Sequence, residues 1–267
     1  MRRIRQPATT KRLWWRAGSS TLPDMSTETP RRNYQWLNFN SPMTDETADR
    51  LVAQLAATEP SQIVDIGCGW AELLLRLLEA CPTASGHGID HNEALIERAI
   101  RNATKRSVLP RVTFSSTPDP STPRDLVLCV GSEHIFGTYV QALSELRTMV
   151  RPGGTLLLGA QIWERPPTDE LVEAMGEVPD LTQLLSTAAT LGWRPLDLKV
   201  ASADDWDHFE FGFLKDWEHL VMSPVTSAEA EAARRAADRH RQNYLQRRGI
   251  FGFAFVTLGW PKPAPVP

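Results

Sequence analysis

The residues best suited to binding a ligand lie between positions 63 and 71, where an apolar run ends in Asp65-Ile66-Gly67-Cys68-Gly69. Closely spaced glycines let the backbone approach a ligand, and the leucine-rich helix predicted to follow presents unpaired N–H groups at its N-terminus. This composition is typical of a buried strand that turns sharply into a helix at a nucleotide-binding site. A second interpretation, in which Asp65 only caps the helix, stays open at this point.

Two nucleotide-binding patterns compete for this stretch. The dinucleotide fingerprint G-x-G-x-x-G requires glycine at its sixth position, and counting from Gly67 that position is Glu72. The other pattern, acid-x-Gly-x-Gly, is complete. A second acid, Asp90, ends the next predicted strand, and a carboxylate there can accept both hydrogen bonds of a ribose diol. The sequence therefore disfavours NAD as the ligand and remains compatible with a ligand that contains an adenosyl group.

Alternating strands and helices must position these residues. Short apolar runs predict strands at 62–66, 84–90, 111–115, 125–130, 155–162, 194–201 and 250–258. Amphipathic patterns predict helices at 44–57, 71–80, 92–105, 138–150, 168–176, 181–191, 203–220 and 227–248. We expect an α/β fold with a doubly wound, largely parallel sheet and ligands at the carboxyl ends of its strands. The long connection at about 203–248 predicts a helical lid, because it exceeds an ordinary loop.

Composition fits one large domain and excludes several classes. With 267 residues and a net charge of −3, the chain has no basic field for nucleic acid or an anionic membrane. No apolar run approaches the roughly 20 residues of a membrane span. Cys68, Cys81 and Cys129 are too widely spaced for a disulfide framework or a zinc site. We predict free thiols, no metal and a cytoplasmic location.

The two ends of the chain differ from the rest. The first 23 residues contain six Arg or Lys and no acid, without the apolar segment of a secretory signal. We predict a disordered basic leader over residues 1–33; the alternatives are a nucleic-acid arm, a transit-like segment or translation from Met25. Residues 261–267 form a predicted proline-rich tail, which leaves 34–260 as one folded domain.

The acid-x-Gly-x-Gly motif and the second acid make the chain resemble the class I S-adenosylmethionine-dependent methyltransferases, over most of residues 35–260. The resemblance implies S-adenosylmethionine as cofactor and a Rossmann-like, seven-stranded sheet whose last strand is antiparallel. Within that class, the motifs at 38–42, 131–134, 163–167 and 205–210 resemble a bacterial branch with no agreed acceptor. Ala71 stands where the family often has a third glycine, and Thr117 where it often has an acid.

The resemblance also implies which residues contact the cofactor. The motif after strand one cradles the methionine part, Asp90 holds the ribose, His91 packs beside the adenine, and the loop after strand three meets the adenine edge. The implied cofactor-binding residues are Asp65, Gly67, Cys68, Gly69, Asp90, His91, Ser116, Thr117 and Gly131.

The ends of strands four and five should face the transferable methyl. We predict His134, and with it Glu133, as catalytic candidates, because an imidazole with an ordinary pKa of about 6.5 suits a general base. In the alternative, either residue only caps the following helix. Trp163 and Glu164 leave strand five on the same rim, where we predict contact with the acceptor.

An aromatic helical face in the second half is a further candidate for binding the acceptor. Trp206, Phe209, Glu210 and Phe213 are spaced i, i+3, i+4 and i+7, a stripe that can equally belong to the core. A carboxylate on such a face needs a partner, and aromatic rings with a carboxylate suit an amine or cationic acceptor. Tyr34, in the aromatic-polar patch before the first helix, is assigned to the same site.

These features predict an enzyme that moves a methyl group from S-adenosylmethionine to a small molecule, mainly by aligning the acceptor. A non-catalytic S-adenosylmethionine-binding partner or regulatory protein is the alternative. A nucleic-acid methyltransferase is less favoured, since Gly131-Ser132-Glu133-His134 stands where an Asn/Asp-Pro-Pro-aromatic signature belongs.

Overall fold

One seven-stranded sheet carries the site. The computed structural model describes residues 34–117 and 122–262. The strands are β1 (Gln62–Ile66), β2 (Ser85–Ile89), β3 (Val112–Ser115), β4 (Arg124–Val130), β5 (Val150–Trp163), β6 (Arg194–Val200) and β7 (Phe251–Gly259). Their order is β3-β2-β1-β4-β5-β7-β6, and β7 is antiparallel to both of its neighbours while the other pairs are parallel. This architecture confirms the predicted Rossmann-like α/β sheet.

The described ranges contain eight α-helices, of which α1 precedes β1 and the others lie between strands. They are α1 (Asp45–Ala56), α2 (Glu72–Ala80), α3 (Glu93–Lys105), α4 (Tyr139–Met149), α5 (Asp169–Met175), α6 (Leu181–Thr190), α7 (Ala203–Met222) and α8 (Ser227–Arg247) within the described ranges. Thr44 and Asn92 cap α1 and α3 with their side chains. Thr226 caps α8: its side chain accepts from the Glu229 N–H in a capping box, which requires the acid three positions after the cap.

Apolar side chains cover both faces of the sheet, as parallel strands require. On one face the leucines of α1 and α2 pack with Ile63, Leu128 and the phenylalanines of β7. On the other, α4 and α6 pack with Val64, Ile66 and Leu158. Asp65 therefore points to the α1–α2 face of a strand that is otherwise apolar, and burial of its carboxylate follows from its place in the strand.

The α7–α8 pair occupies the connection between β6 and β7. A separate apolar cluster joins it to Leu37 in the segment before α1 and to Trp70 in the turn after β1. The α7–α8 pair thus lies beside the acid-x-Gly-x-Gly motif. That the pair serves as a lid remains a prediction. The predicted leader at 1–33 and most of the tail lie outside the described residues. No helix of the described ranges is both long and apolar enough to cross a membrane.

Candidate active site

The turn between β1 and α2 approaches the end of β4 at Gly67, while its backbone at Gly69 borders open space. Gly67 and Gly69 have φ of +73° and +54°, which favour glycine. A Cβ at Gly67 would overlap the side chain of Ser132, which follows β4, whereas a Cβ at Gly69 would meet no described residue other than its chain neighbours within 4 Å. Gly67 therefore permits contact with the end of β4, and Gly69 exposes backbone to open space.

Ala71 adopts a left-handed backbone conformation of the kind that favours glycine. It precedes α2 with φ +60° and ψ +25°, is fully buried, and makes no side-chain capping hydrogen bond. A left-handed alanine costs about 1–2 kcal/mol. The turn thus stores a small strain at Ala71.

Asp65 is a buried carboxylate without a hydrogen-bond donor in the described part of the chain. It is 6% exposed. Burial first, and then the charge of neighbouring Asp90, raise the pKa of Asp65 to about 7. The interpretation that Asp65 caps α2 gains no support, because no N–H of α2 donates to it. Such an acid is stabilised either by a proton or by a cation.

Asp90 is held in place by two backbone N–H groups. The Gly69 N–H donates to Oδ2 at 2.8 Å and the Asn92 N–H to Oδ1 at 2.9 Å. A carboxylate oxygen has two lone pairs, so each oxygen keeps one for a ligand. The exposed His91 imidazole lies beside it, with Nδ1 3.6 Å from Oδ1. The turn after β1 and the acid after β2 are therefore one connected structure.

The predicted adenine side is only partly within the described residues. Ser116 and Thr117 follow β3 and are exposed, and the Ser115 hydroxyl donates to the Thr117 carbonyl at 2.9 Å. Cys68 lies next to Phe114 and the backbone of Gly88, and burial raises the pKa of its thiol. The loop that we expect to meet the adenine edge continues to Pro118, which lies outside the described ranges.

The end of β4 brings the two predicted catalytic residues to the same edge. Burial raises the pKa of Glu133 to about 7; its Oε1 accepts from the Gln161 N–H at 3.3 Å, and its buried Oε2 has no partner within the described ranges. His134 is exposed at its outer side, yet desolvation and the nearby His91 lower its pKa. The neutral imidazole is therefore its main form at neutral pH.

The predicted acceptor residues fall into two places. Trp163 packs edge to face on Phe251 with ring centres 5.5 Å apart, and Trp206 lies 5.8 Å from the same ring. Glu164 is exposed and lines a small cavity with Trp206. The Tyr34 ring instead lies 5.6 Å from the Trp70 ring and is tilted against it, so Tyr34 lies beside the turn after β1.

The structure favours the packing interpretation for Glu210. It is 1% exposed, and its carboxylate accepts from Arg247 at 2.7 Å and contacts His240 Nε2 at 2.5 Å. Burial acts to raise the pKa of Glu210, but hydrogen bonds from His240 and Arg247 hold it below its ordinary value. Phe209 is half-buried against Trp206 at 6.0 Å. Glu210 thus joins α7 to α8 and is not free to receive a cationic acceptor.

Several residues of the site were missed by sequence reasoning. Ser132 meets Gly67, Asn92 fixes Asp90, and Phe253 lies between Trp206 and Gly131. The alternation of phenylalanine with small residues in β7 was visible, but the partners of that strand were not. No cluster of three or more metal-ligating side chains is present in the described ranges, so the structure gives no support to a metal centre there.

The fold and this site define a Rossmann-like methyltransferase architecture. Residues 63–154 match the family model described as a methyltransferase domain. The uncharacterized protein YjhP of Escherichia coli (strain K12) is 26% identical over 82% of this chain and 93% of its own. The X-ray structure of YjhP matches with a TM-score of 0.72, covering 82% of this chain and 94% of that one at 25% identity.

Two other relatives carry functional names. A S-adenosyl-L-homocysteine complex of a SAM-dependent methyltransferase from Thiobacillus denitrificans matches with a TM-score of 0.74 at 23% identity, over 86% of this chain and 98% of that one. Trans-aconitate 2-methyltransferase of Delftia acidovorans (strain DSM 14801 / SPH-1) is 24% identical over 73% of this chain and 75% of its own. These matches identify a methyltransferase domain over residues 63–154, and the chain is similar to the class I S-adenosylmethionine-dependent methyltransferases.

Proposed function

We propose that the chain transfers the methyl group of S-adenosylmethionine to a small-molecule acceptor held between the strand ends and the α7–α8 pair. The observation that carries the cofactor site is Asp65, a buried acid with a pKa of about 7 and no donor from the described residues. The α-ammonium of the cofactor is the cation that such an acid lacks.

The residues around the turn fit the rest of the cofactor. Asp90 is fixed by two N–H groups and keeps one lone pair on each oxygen for the two ribose hydroxyls. Gly69 leaves open space for close approach. Gly67, Cys68 and Gly131 complete the wall on the methionine side, and His91, Ser116 and Thr117 are proposed for the adenine side.

When bound, S-adenosylmethionine supplies an electrophilic methyl group on a sulfonium sulfur. The chain's own contribution is then to align an acceptor atom and exclude water from it. The neutral His134 imidazole at the end of β4 can take a proton from an acceptor that must lose one. Glu133, also protonated in part at neutral pH, is proposed to hold the acceptor through its buried Oε2.

The acceptor is proposed to lie against aromatic rings. Trp163 and Trp206 flank Phe251, and Phe209 extends the same surface. Glu164 stands at its exposed edge, and Tyr34 closes the side next to Trp70. The trans-aconitate 2-methyltransferase among the relatives is named for a small-molecule acceptor, which supports an acceptor of that size here.

A transfer assay tests this proposal. Purified protein with S-adenosylmethionine labelled in the methyl group should label at least one member of a panel of small carboxylic acids, phenols and amines. A matched panel of tRNA and oligonucleotides should remain unlabelled. Labelling of nucleic acid alone, or S-adenosylhomocysteine binding with no labelled small molecule, would count against the proposed acceptor class.

A further inference from the structure

The two acids proposed for the cofactor are almost enclosed by the protein. Asp65 is 6% exposed and Asp90 is 7% exposed. A cofactor that contacts both carboxylates is far larger than a water molecule. The elements packed around the turn after β1 therefore control how such a ligand reaches the two acids.

One of these elements is the segment before α1, residues 34–40, here called the strap. Leu37 of the strap is 5% exposed and shares an apolar cluster with Trp70, the residue after Gly69. On the other side, a Cβ added to Gly212 of α7 would lie 2.5 Å from the Leu37 side chain, so the α7 backbone approaches the strap closely. The strap thus fills the space between the turn and α7.

Side chains, and not a backbone ladder, hold the strap in place. The strap contains neither helix nor strand, and its one backbone–backbone hydrogen bond within the described ranges joins Leu37 to Tyr34. The Trp70 indole N–H donates to the Asn38 carbonyl at 2.6 Å. Arg98 of α3 donates to the carbonyls of Tyr34 and Leu37 at 3.1 and 3.5 Å. Two side chains therefore bind three carbonyls of the strap.

These two side chains, called the latch below, also bind each other. The Arg98 guanidinium lies over the Trp70 ring, 4.2 Å from its centre. Arg98 is half-buried and Trp70 is 3% exposed, so this cation–π contact is partly desolvated and stronger than an exposed one. The Asn102 side chain donates to the Trp70 carbonyl at 3.3 Å, which fixes the Trp70 backbone to α3.

The latch is continuous with the proposed cofactor turn. Trp70 stands between Gly69 and Ala71, whose φ values are +54° and +60°. The Gly69 N–H donates to Asp90 at 2.8 Å. The position of the Trp70 ring therefore depends on the conformation of the turn. Release of the strap and access to the turn are coupled through this one residue.

The other element beside the turn, α7, is held more firmly. Glu210 joins it to His240 and Arg247 of α8 through ion pairs in which the Glu210 side chain is 2% exposed. To move α7 would separate these charges in a buried site, which is costly. To move the strap breaks hydrogen bonds to carbonyls that water can replace, together with one contact from the Tyr34 N–H to Asp216.

We propose that the strap is the gate of the cofactor site, and that the latch of Trp70 and Arg98 must open before S-adenosylmethionine enters or S-adenosylhomocysteine leaves. The inference rests on the proposed function and adds the route of exchange. Neither latch residue is among those proposed to contact the cofactor. A weaker latch should therefore open more often in the free and in the bound protein alike, so that entry and exit both accelerate while the affinity stays nearly the same.

The binding kinetics of S-adenosylhomocysteine test the gate. Arg98→Met keeps an unbranched side chain and removes both carbonyl hydrogen bonds and the cation over the ring. Stopped-flow tryptophan fluorescence should show association and dissociation rate constants that both rise by about tenfold, the value of one hydrogen bond to a charged group, with Kd nearly unchanged. Arg98→Lys, which keeps the cation, should fall between wild type and Arg98→Met.

Arg101→Met is the matched control. Arg101 lies on the same helix and pairs with Glu97 at 3.9 Å, with its own side chain 64% exposed, so its rate constants should equal those of wild type. Rate constants for Arg98→Met that equal those of Arg101→Met would overturn the inference. A faster dissociation alone, with Kd weakened in proportion, would also overturn it, because Arg98 would then support the bound cofactor and not a gate.

Wild type provides a test that needs no variant. Its observed association rate should level off as the ligand concentration rises, because opening of the strap then limits entry. If Arg98→Met does not fold, this plateau decides, and a linear rise to the highest concentration overturns the gate. Failure of S-adenosylhomocysteine to bind wild type would defeat the proposed function as well. Binding with a linear concentration dependence would defeat the gate alone.

Discussion

The surroundings of Asp65 disfavour its charged carboxylate in the protein alone, and a bound cation would favour it. Its side chain is buried beside Asp90, and both the burial and the second carboxylate disfavour its charged form, so its pKa lies at about 7. A bound ammonium group favours the charged form, because its positive charge attracts the carboxylate. Residues that function needs often cost stability in this way.

Asp65→Asn should therefore have opposite effects on stability and on binding. A carboxyl with a pKa of about 7 in the folded protein against 3.8 when unfolded loses its proton first in the unfolded chain, so stability falls as pH rises from 3.8 to 7. At pH values above that window, the variant should melt at a higher temperature than wild type in scanning calorimetry, yet bind S-adenosylhomocysteine more weakly.

The same reasoning gives the wild-type affinity a pH dependence. Below a pH of about 7, binding must expel the Asp65 proton, so affinity should fall as pH falls, by up to roughly tenfold per unit. Asp65→Asn should lose this slope in titration calorimetry. Glu133→Gln, which removes the other site acid with a pKa of about 7, should keep it; the reverse pattern would contradict the assignment.

His134 should affect the chemical step and not the cofactor. Its lowered pKa keeps the imidazole neutral at neutral pH, so His134→Gln should reduce kcat by about a hundred- to ten-thousandfold for an acceptor that loses a proton. The acidic limb of the pH–rate profile should disappear with it. His219→Gln, at an exposed imidazole stacked on Trp36, serves as the control. An unchanged kcat for His134→Gln removes it from catalysis.

At the scale of elements, the turn between β1 and α2 stores strain at Ala71. Its φ of +60° is a glycine conformation, so Ala71→Gly should stabilise the fold by about 1 kcal/mol. Ala53→Gly, at an exposed interior position of α1, should destabilise it by a similar amount. Urea unfolding of both variants measures the difference. Destabilisation by Ala71→Gly would show that the strain argument fails.

The α7–α8 pair depends on one buried ionic cluster. Removing Glu210 leaves His240 and Arg247 without their carboxylate in a buried site, so Glu210→Ala should cost about 3–5 kcal/mol of unfolding free energy. Glu218→Ala breaks the more exposed pair with Arg241 on the same two helices and should cost about 0–1 kcal/mol. Similar losses for both variants in urea unfolding would contradict a structural role specific to Glu210.

At the scale of the molecule, local patterns and topology rules were enough to predict which strand ends meet at the proposed cofactor site. The strand-turn-helix at 63–71 and the acid at Asp90 are short-range signals, and right-handed crossovers bring such strand ends to one edge. The sheet order confirms this, since β1 lies between β2 and β4. The contacts of Gly67 with Ser132 and of Gly69 with Asp90 follow from that order.

The acceptor side could not be derived in the same way, because its partners are distant in sequence. Glu210 meets His240 and Arg247, which lie 30 and 37 residues further along the chain. In the sequence, the aromatic stripe of α7 looks the same whether these two partners are present or not. Only the packing of α7 on α8 shows that its acid is already paired.

The central claim is that the turn after β1 and Asp90 bind the cofactor. Binding of S-adenosylhomocysteine to wild type and to Asp90→Ala tests it most directly, since the Asp90 carboxylate accepts from the Gly69 N–H of that turn and is proposed to hold the ribose. The ligand should raise the wild-type melting temperature through mass action on the native state, and Asp90→Ala should lose most of that rise while remaining folded. Asp49→Ala, at an exposed position of α1, should keep it. An absent rise in wild type, or an undiminished rise in Asp90→Ala, would contradict the account.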